Sequence, residues 1–326
     1  MSQHEATHPE ATSPLPGDEV TGGGNQPSGA GPRWFSVGKL VLAIVILGML
    51  VAGGYGWNTR RIVNKRLAEL ERERALEAVV DPSTGGPEHP MDPVIEFAEE
   101  NLARFRTRVI DYTATMVKQE VIETELLPRT TMSIWVRNPG KQEDGTRIPL
   151  SVYLRYEDPP VQRGREVIWV DGENEGKLIA HEAGLLGFKR LSVLPTGVLA
   201  MVGNRYPITE MGIERLLEKM IVRGKRDRQY GNCEVQFSRD VPLGELSGVR
   251  LVITHPQKSQ DHGFFRAEIE LETSNFAYLR YTAYDWPAEA GQPAPLLEEY
   301  IYQDVKLNPG LADSTFDPDN PDYNYP

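Results

Sequence analysis

The sequence predicts an α+β fold built on one large antiparallel β-sheet and preceded by a single membrane span. Three observations carry this. Ten segments after residue 110 show apolar residues at every second position, two segments after residue 90 show helical periodicity, and one uncharged apolar run lies around residue 45. The order is helix, five strands, helix, five strands, which excludes an alternating βαβ arrangement.

Residues 1–33 are dominated by Gly, Pro, Ser, Thr, Glu and His and contain no aromatic residue, so a disordered tail is expected. Residues 34–57 are expected to be a transmembrane anchor. The run from Leu40 to Ala52 carries no charge, and Trp34 and Trp57 stand 23 residues apart. That is about 35 Å of helix at ~1.5 Å per residue, enough for a hydrocarbon core of ~30 Å with a tryptophan at each interface. The long leader and the lack of an A-x-A site argue against a cleaved signal peptide. Residues 58–80 form a juxtamembrane helix whose weak apolar stripe, Val63, Leu67 and Leu70, suits a solvated spacer. Residues 81–91, beginning DPSTGGPEHP, are a linker.

The folded domain spans residues 92–326. Asp92 is read as an N-cap with Pro93 at the first helical position, and Ile95, Ala98, Leu102, Phe105 and Val109 form the apolar face behind it. Strands are expected at 112–121, 131–137, 150–156, 166–171, 177–182, 233–239, 248–254, 264–272, 277–285 and 296–305. The clearest is FFRAEIELE, in which Phe265, Ala267, Ile269 and Leu271 alternate with charged residues. Between the two strand groups, Thr209 as N-cap and Met211, Leu216, Leu217, Met220 and Ile221 predict a second helix ending near Gly224.

The chain carries 35 Lys+Arg against 47 Asp+Glu, a net charge of −12, and residues 92–326 hold 27 and 37 of these. This balance opposes nucleic-acid binding, which relies on cationic side chains. Cys233 is the single cysteine, so no disulfide framework exists, and it reads as a buried thiol. H-E-x-x-H, G-x-S-x-G, Walker and Rossmann patterns are all lacking. His255 and His262 with Asp261 are metal-ligand types, but their spacing matches no short motif; neither metal nor cofactor is expected. Catalysis would need two or more of His181, Glu120 and Glu166 to converge in one pocket, and no motif selects such a set, so the expectation is a protein that is not an enzyme. Many aromatic residues fall on the strands, more apolar face than two helices cover, which suggests a groove for an apolar ligand.

Five segments resemble a bacterial family of domains of unknown function that is placed with the LolA/LolB-type lipoprotein carriers. They are TATMVKQE (113–120), SVYLRY (151–156), GREVIWVDGENEGKLIAHE (164–182), GNRYPITEMGIERLLEKMI (203–221) and YIYQDVKLNPGLADSTFDPDNPDY (300–323). The resemblance implies a sheet curved as an unclosed barrel, with two or three helices on its concave side and acyl chains held beneath a helical lid. By strand parity the inward residues are then Ile134, Leu154, Phe265, Ile269 and Tyr300. The carriers' lid-latching arginine precedes proline; here Arg137 is the candidate, displaced by one residue because Asn138 stands before Pro139. A one-residue shift on a strand exchanges its faces unless a bulge intervenes.

The expected function is therefore a membrane-anchored, non-catalytic protein that holds or transfers a lipid, an acyl chain or an acylated protein. The alternative is an interaction or sensor module that binds a protein partner and fills its own groove. The resemblance places the domain in the periplasm, on a single-pass anchor in the bacterial inner membrane. The charge count across the span points the other way: Arg60, Arg61, Lys65, Arg66, Arg72 and Arg74 follow it, and Arg33 and Lys39 precede it.

Overall fold

The computed structural model describes residues 56–72, 75, 89–182, 189–230, 232–258, 262–289 and 291–326. The expected tail and nearly all of the expected anchor lie outside these residues. Among the described residues no helix is long and apolar enough to cross a membrane.

Residues 56–72 are helical (α1), and α2 (Asp92–Arg108) leads into the sheet. The first meander runs through β1 (Asp111–Ile122), β3 (Thr130–Arg137), β6 (Ser151–Asp158), β7 (Glu166–Val170), β8 (Leu178–His181) and β9 (Arg190–Val193). The short β2 (Glu125–Leu126) pairs with β1, and β4 (Gly140–Lys141) pairs with β5 (Arg147–Ile148) apart from the main sheet. The chain then crosses through α3 (Val198–Met201) and α4 (Ile213–Tyr230) to a second meander. That meander comprises β10 (Glu234–Leu243), β11 (Leu246–Thr254), β12 (Arg266–Leu271), β13 (Leu279–Tyr284) and β14 (Leu296–Leu307). β14 pairs antiparallel with β1, so the domain's first and last strands are central and β9 and β10 are the edges. The result is an unclosed, all-antiparallel barrel of α+β class.

All ten expected strands are present, each with at least one face in the core, and the exposed edge strand β9 is an addition, so six strands of the main path precede α4 where five were expected. Along β1, Tyr112, Ala114, Met116, Lys118 and Glu120 are all buried on the concave side. Helices α2 and α4 pack on that side; Phe105 is fully buried and meets Tyr112 and Phe276 edge-on at 6.0 and 5.1 Å. Two tyrosines hold the start of α4. The Ile213 N–H donates to the Tyr112 hydroxyl at 3.0 Å, and the Gly212 N–H to the Tyr302 hydroxyl at 3.3 Å. These side chains serve N–H groups that have no partner inside the helix.

Four local expectations change. The cap of α2 is Met91, and the Asp92 carboxylate instead accepts from the His89 N–H at 2.8 Å and pairs with Arg228. Thr209 lies in a short 3₁₀ turn, Ile208–Glu210, and α4 begins at Ile213. α4 also runs past Gly224 to Tyr230, because that glycine marks a close helix crossing and not a helix end. A Cβ at Gly224 would stand 3.0 Å from Ile95 Cγ1 and 3.2 Å from Met91 Cε. Finally, α1 is not a solvated spacer over its described part: Val63 and Leu70 are buried and pack with Met201.

The convex face carries a second, smaller core. Residues after β14 cross it, placing Phe316, Tyr323 and Tyr325 on Tyr153, Ile168 and Val170. Tyr153 is stacked between Trp135 at 4.7 Å and Tyr323 at 4.3 Å.

Candidate functional site

Between the concave sheet face and α4 lies a cavity of about 90 Å³. Its apolar end is walled by Ile253, Phe264, Ile269 and Leu216 together with Met91, Met116, Met211 and Met220. Four of the chain's eight methionines thus face one cavity. Unbranched, polarisable side chains of this kind re-pack around guests of varied shape more readily than branched ones.

The other end is polar. On β1 the inward parity that places Met116 in the apolar wall brings Lys118 and Glu120 next, and on β14 it aligns Glu298, Tyr300 and Tyr302. The Tyr300 hydroxyl donates to Glu120 at 2.6 Å, and Lys118 bridges Glu120 at 2.8 Å and Asn204 at 2.6 Å. Glu298 lies 2.8 Å from Arg205 Nε and 3.6 Å from Arg223 Nη1. Arg223 also donates to the hydroxyls of Tyr281 at 2.8 Å and Tyr206 at 3.0 Å. Burial alone would push the Glu298 carboxyl up, but Arg205, Arg223 and Lys219 outweigh it and hold the group below the usual carboxylate range. Tyr300 moves the other way, kept protonated first by burial and then by Glu120 and Glu298. The sequence signal for this network is charge at inward strand parity, with Lys118 and Glu120 following Met116 on the same face of β1.

The five parity-selected residues separate. Ile269 and Tyr300 line the cavity. Ile134 and Leu154 are buried in the concave core, packed among other side chains and away from the cavity wall. Phe265 is a correction: it is half-buried against Trp286, 6.5 Å between ring centroids, and its neighbour Phe264 takes the inward place. β12 begins at Arg266 and Phe265 sits in a bend, so the alternation that holds from Ala267 onward does not extend back to it.

Arg137 is also corrected. The β1–β3 register runs without a bulge, Val136 points into the core, and Arg137 points to the convex face. There it donates to Asp313 Oδ1 at 2.7 Å and to the Leu311 carbonyl at 2.8 Å, over the Phe316 ring at 4.9 Å. It fastens the C-terminal segment and touches no lid.

Two of the three candidate acid-base residues, Glu166 and His181, come together, and Glu120 stands apart from them. Glu120 is inside the cavity, whereas Glu166 is buried under the C-terminal segment, accepting from Tyr153 at 2.8 Å and from the Asn324 N–H at 3.1 Å. His181 lies 3.9 Å from Glu166, beside Tyr325. Cys233 is buried, and burial followed by the nearby Asp227 charge pushes its thiol up to about 11. Asp261 lies outside the described residues, while His255 and His262 stack on one another at 4.0 Å.

Fold and site together define an open α+β half-barrel that encloses a methionine-rich cavity with a charged end. The chain belongs to the family described as protein of unknown function (DUF1571), whose model matches residues 109–325. No curated protein matches it. Among solved structures it is similar to a DUF1329 family protein from Desulfovibrio piger, with TM-score 0.34, 9% identity, and 71% of this chain and 98% of that one covered. It is similar also to a domain assigned to outer membrane lipoprotein sorting from Vibrio parahaemolyticus, with TM-score 0.32, 11% identity, and 68% and 95% covered. A LolA superfamily protein from Nitrosomonas europaea follows, with TM-score 0.27, 11% identity, and 68% and 97% covered.

Proposed function

We propose that this chain is a membrane-anchored, non-catalytic protein that holds or transfers a hydrophobic ligand, a lipid or acyl chain, in the bacterial cell envelope. The methionine-lined cavity carries the reading: its wall of Met91, Met116, Met211 and Met220 is apolar, it lies under α4, and it can widen by rotamer changes of Met116 and Met220. In this reading residues 34–57 span the inner membrane once and residues 92–326 face the periplasm. A domain of net charge −10 then stands off the anionic lipid surface and presents the cavity to a ligand.

One observation supports a second role in the same reading, sensing the bound ligand, as distinct from the filled-groove alternative. Arg66 on α1 donates to the Arg205 carbonyl at 3.1 Å, and the Arg205 side chain pairs with Glu298 at the cavity's polar end. Occupancy of the cavity is thereby linked to the helix that follows the anchor.

A photoactivatable fatty acid added to membranes holding the full chain tests the proposal. Cross-links should map to Met116, Met220 and Ile269. Labelling confined to residues 34–57 would overturn it. Protease added to spheroplasts should digest residues 92–326; protection of that part would reverse the orientation.

A further inference from the structure

Outside the charged network, three side chains from separate elements converge beside the cavity. Asp227 projects from α4, His255 follows β11, and His262 precedes β12; one donor atom from each lies within 4.8 Å of the others. Asp227 and His255 are 2% and 0% exposed. The His255 Nδ1 lies 3.1 Å from the Phe264 carbonyl, so Nδ1 carries the proton in the neutral ring and Nε2 presents a lone pair. That lone pair faces Asp227 Oδ2 at 3.3 Å. Two acceptors therefore point at each other in a water-poor site.

Neither Asp227 Oδ1 nor His255 Nε2 has a hydrogen-bond partner among the described residues. One His262 nitrogen turns toward the Gln257 backbone, but neither makes a well-formed hydrogen bond. Buried polar groups in this condition are rare and costly. A proton on His255 would settle the contact with Asp227 Oδ2 and leave Asp227 Oδ1 and His262 as they are. A cation held between the three groups takes one donor atom from each, giving Asp227, His255 and His262 a common partner.

We propose that Asp227, His255 and His262 form a binding site for a divalent transition-metal ion of the zinc class. Two imidazoles and one carboxylate are the donors such ions take, whereas calcium and magnesium favour all-oxygen sets. The Phe264 carbonyl on Nδ1 is the outer partner that fixes a ligating histidine's tautomer and aim. His255 and Asp227 already face one another. The two rings lie 12° from parallel, so His262 turns about its side-chain bonds to join them. Arg226, close enough to act on His262, opposes the added charge and sets the affinity below that of a closed structural zinc site. Asp227 and Phe264 also line the cavity, so a bound ion ties α4 to the second meander at the cavity wall.

The test uses the purified full chain, stripped with a chelator and dialysed against micromolar free Zn²⁺, with bound metal measured by elemental analysis. One ion per chain is expected. His262→Ala and Asp227→Asn should each weaken binding about tenfold or more, while circular dichroism shows both variants folded. Co²⁺ in place of Zn²⁺ should give visible absorption that His262→Ala abolishes. Substoichiometric binding, or equal affinity in the parent and both variants, would overturn the proposal and leave a proton-bridged histidine–aspartate pair.

Discussion

The Arg137 guanidinium lies 4.9 Å from the centre of the Phe316 ring on the convex face of the barrel, opposite the cavity. Its partner Asp313 is 97% exposed, so that ion pair contributes little. The Leu311 carbonyl and the ring face hold it more effectively. Arg137→Ala should cost about 1 kcal/mol and speed proteolytic cleavage after residue 307, without changing labelling of the cavity by an acyl probe. Altered probe uptake with an intact C-terminal segment would return Arg137 to the lid.

Strand alternation places ten strands because each buries at least one face, but it misses the edge strand β9, whose residues are largely exposed and show no buried face. It failed where backbone geometry broke the count, as in the bend at Phe265. Gly224 misled for a related reason: a glycine inside a helical pattern marks a stop or a crossing, and the partner helix alone decides which. The Val63, Leu67, Leu70 stripe was visible, yet its docking site, Met201, lies over 130 residues away in sequence. The cavity's charged end was legible in principle, since Lys118 and Glu120 share the parity of Met116. Asp227 meets His255 and His262 only through the α4 crossing, which no local spacing encodes.

The α2–α4 crossing at Gly224 leaves little room. Gly224→Ala gains roughly 1 kcal/mol of helix propensity, offset by pressure on Ile95 and Met91, so unfolding by urea should show a change within about 1 kcal/mol. Gly224→Val adds two methyl groups in the same gap and should destabilise by about 2 kcal/mol. Equal stability of the Ala and Val variants would mean the crossing is looser than its geometry.

Glu298 is 3% exposed and balances Arg205 and Arg223. Glu298→Gln leaves two guanidinium groups beside a neutral amide and should cost about 3 kcal/mol. Adding Arg205→Met to that variant should recover part of the loss, since the pair couples through direct contact. Strictly additive losses in the double variant would show that the two residues act independently.

Glu272 gives the sharpest dependence on pH. Its buried carboxylate accepts from the backbone N–H groups of Ser274 at 2.6 Å, Asn275 at 2.9 Å and Ala277 at 3.2 Å. Burial raises its pKa, but these donors outweigh burial and hold it below the usual glutamate range. The turn they stabilise carries Phe276 at φ 52°, an unfavourable backbone for a side chain of that size, and delivers its ring onto Phe105. A carboxylate with a depressed folded-state pKa contributes its full stabilisation above the unfolded-state pKa and loses it as pH falls through the folded value. Glu272→Gln should therefore be less stable than the parent by roughly 1–3 kcal/mol at neutral pH. The gap should close as the solution is taken below the usual glutamate pKa, because the parent's own carboxylate then protonates. Urea denaturation of both proteins across that range measures it. A gap that stays constant into acid would show that the turn is held by its shape and Phe276 packing, and that the charge on Glu272 contributes nothing.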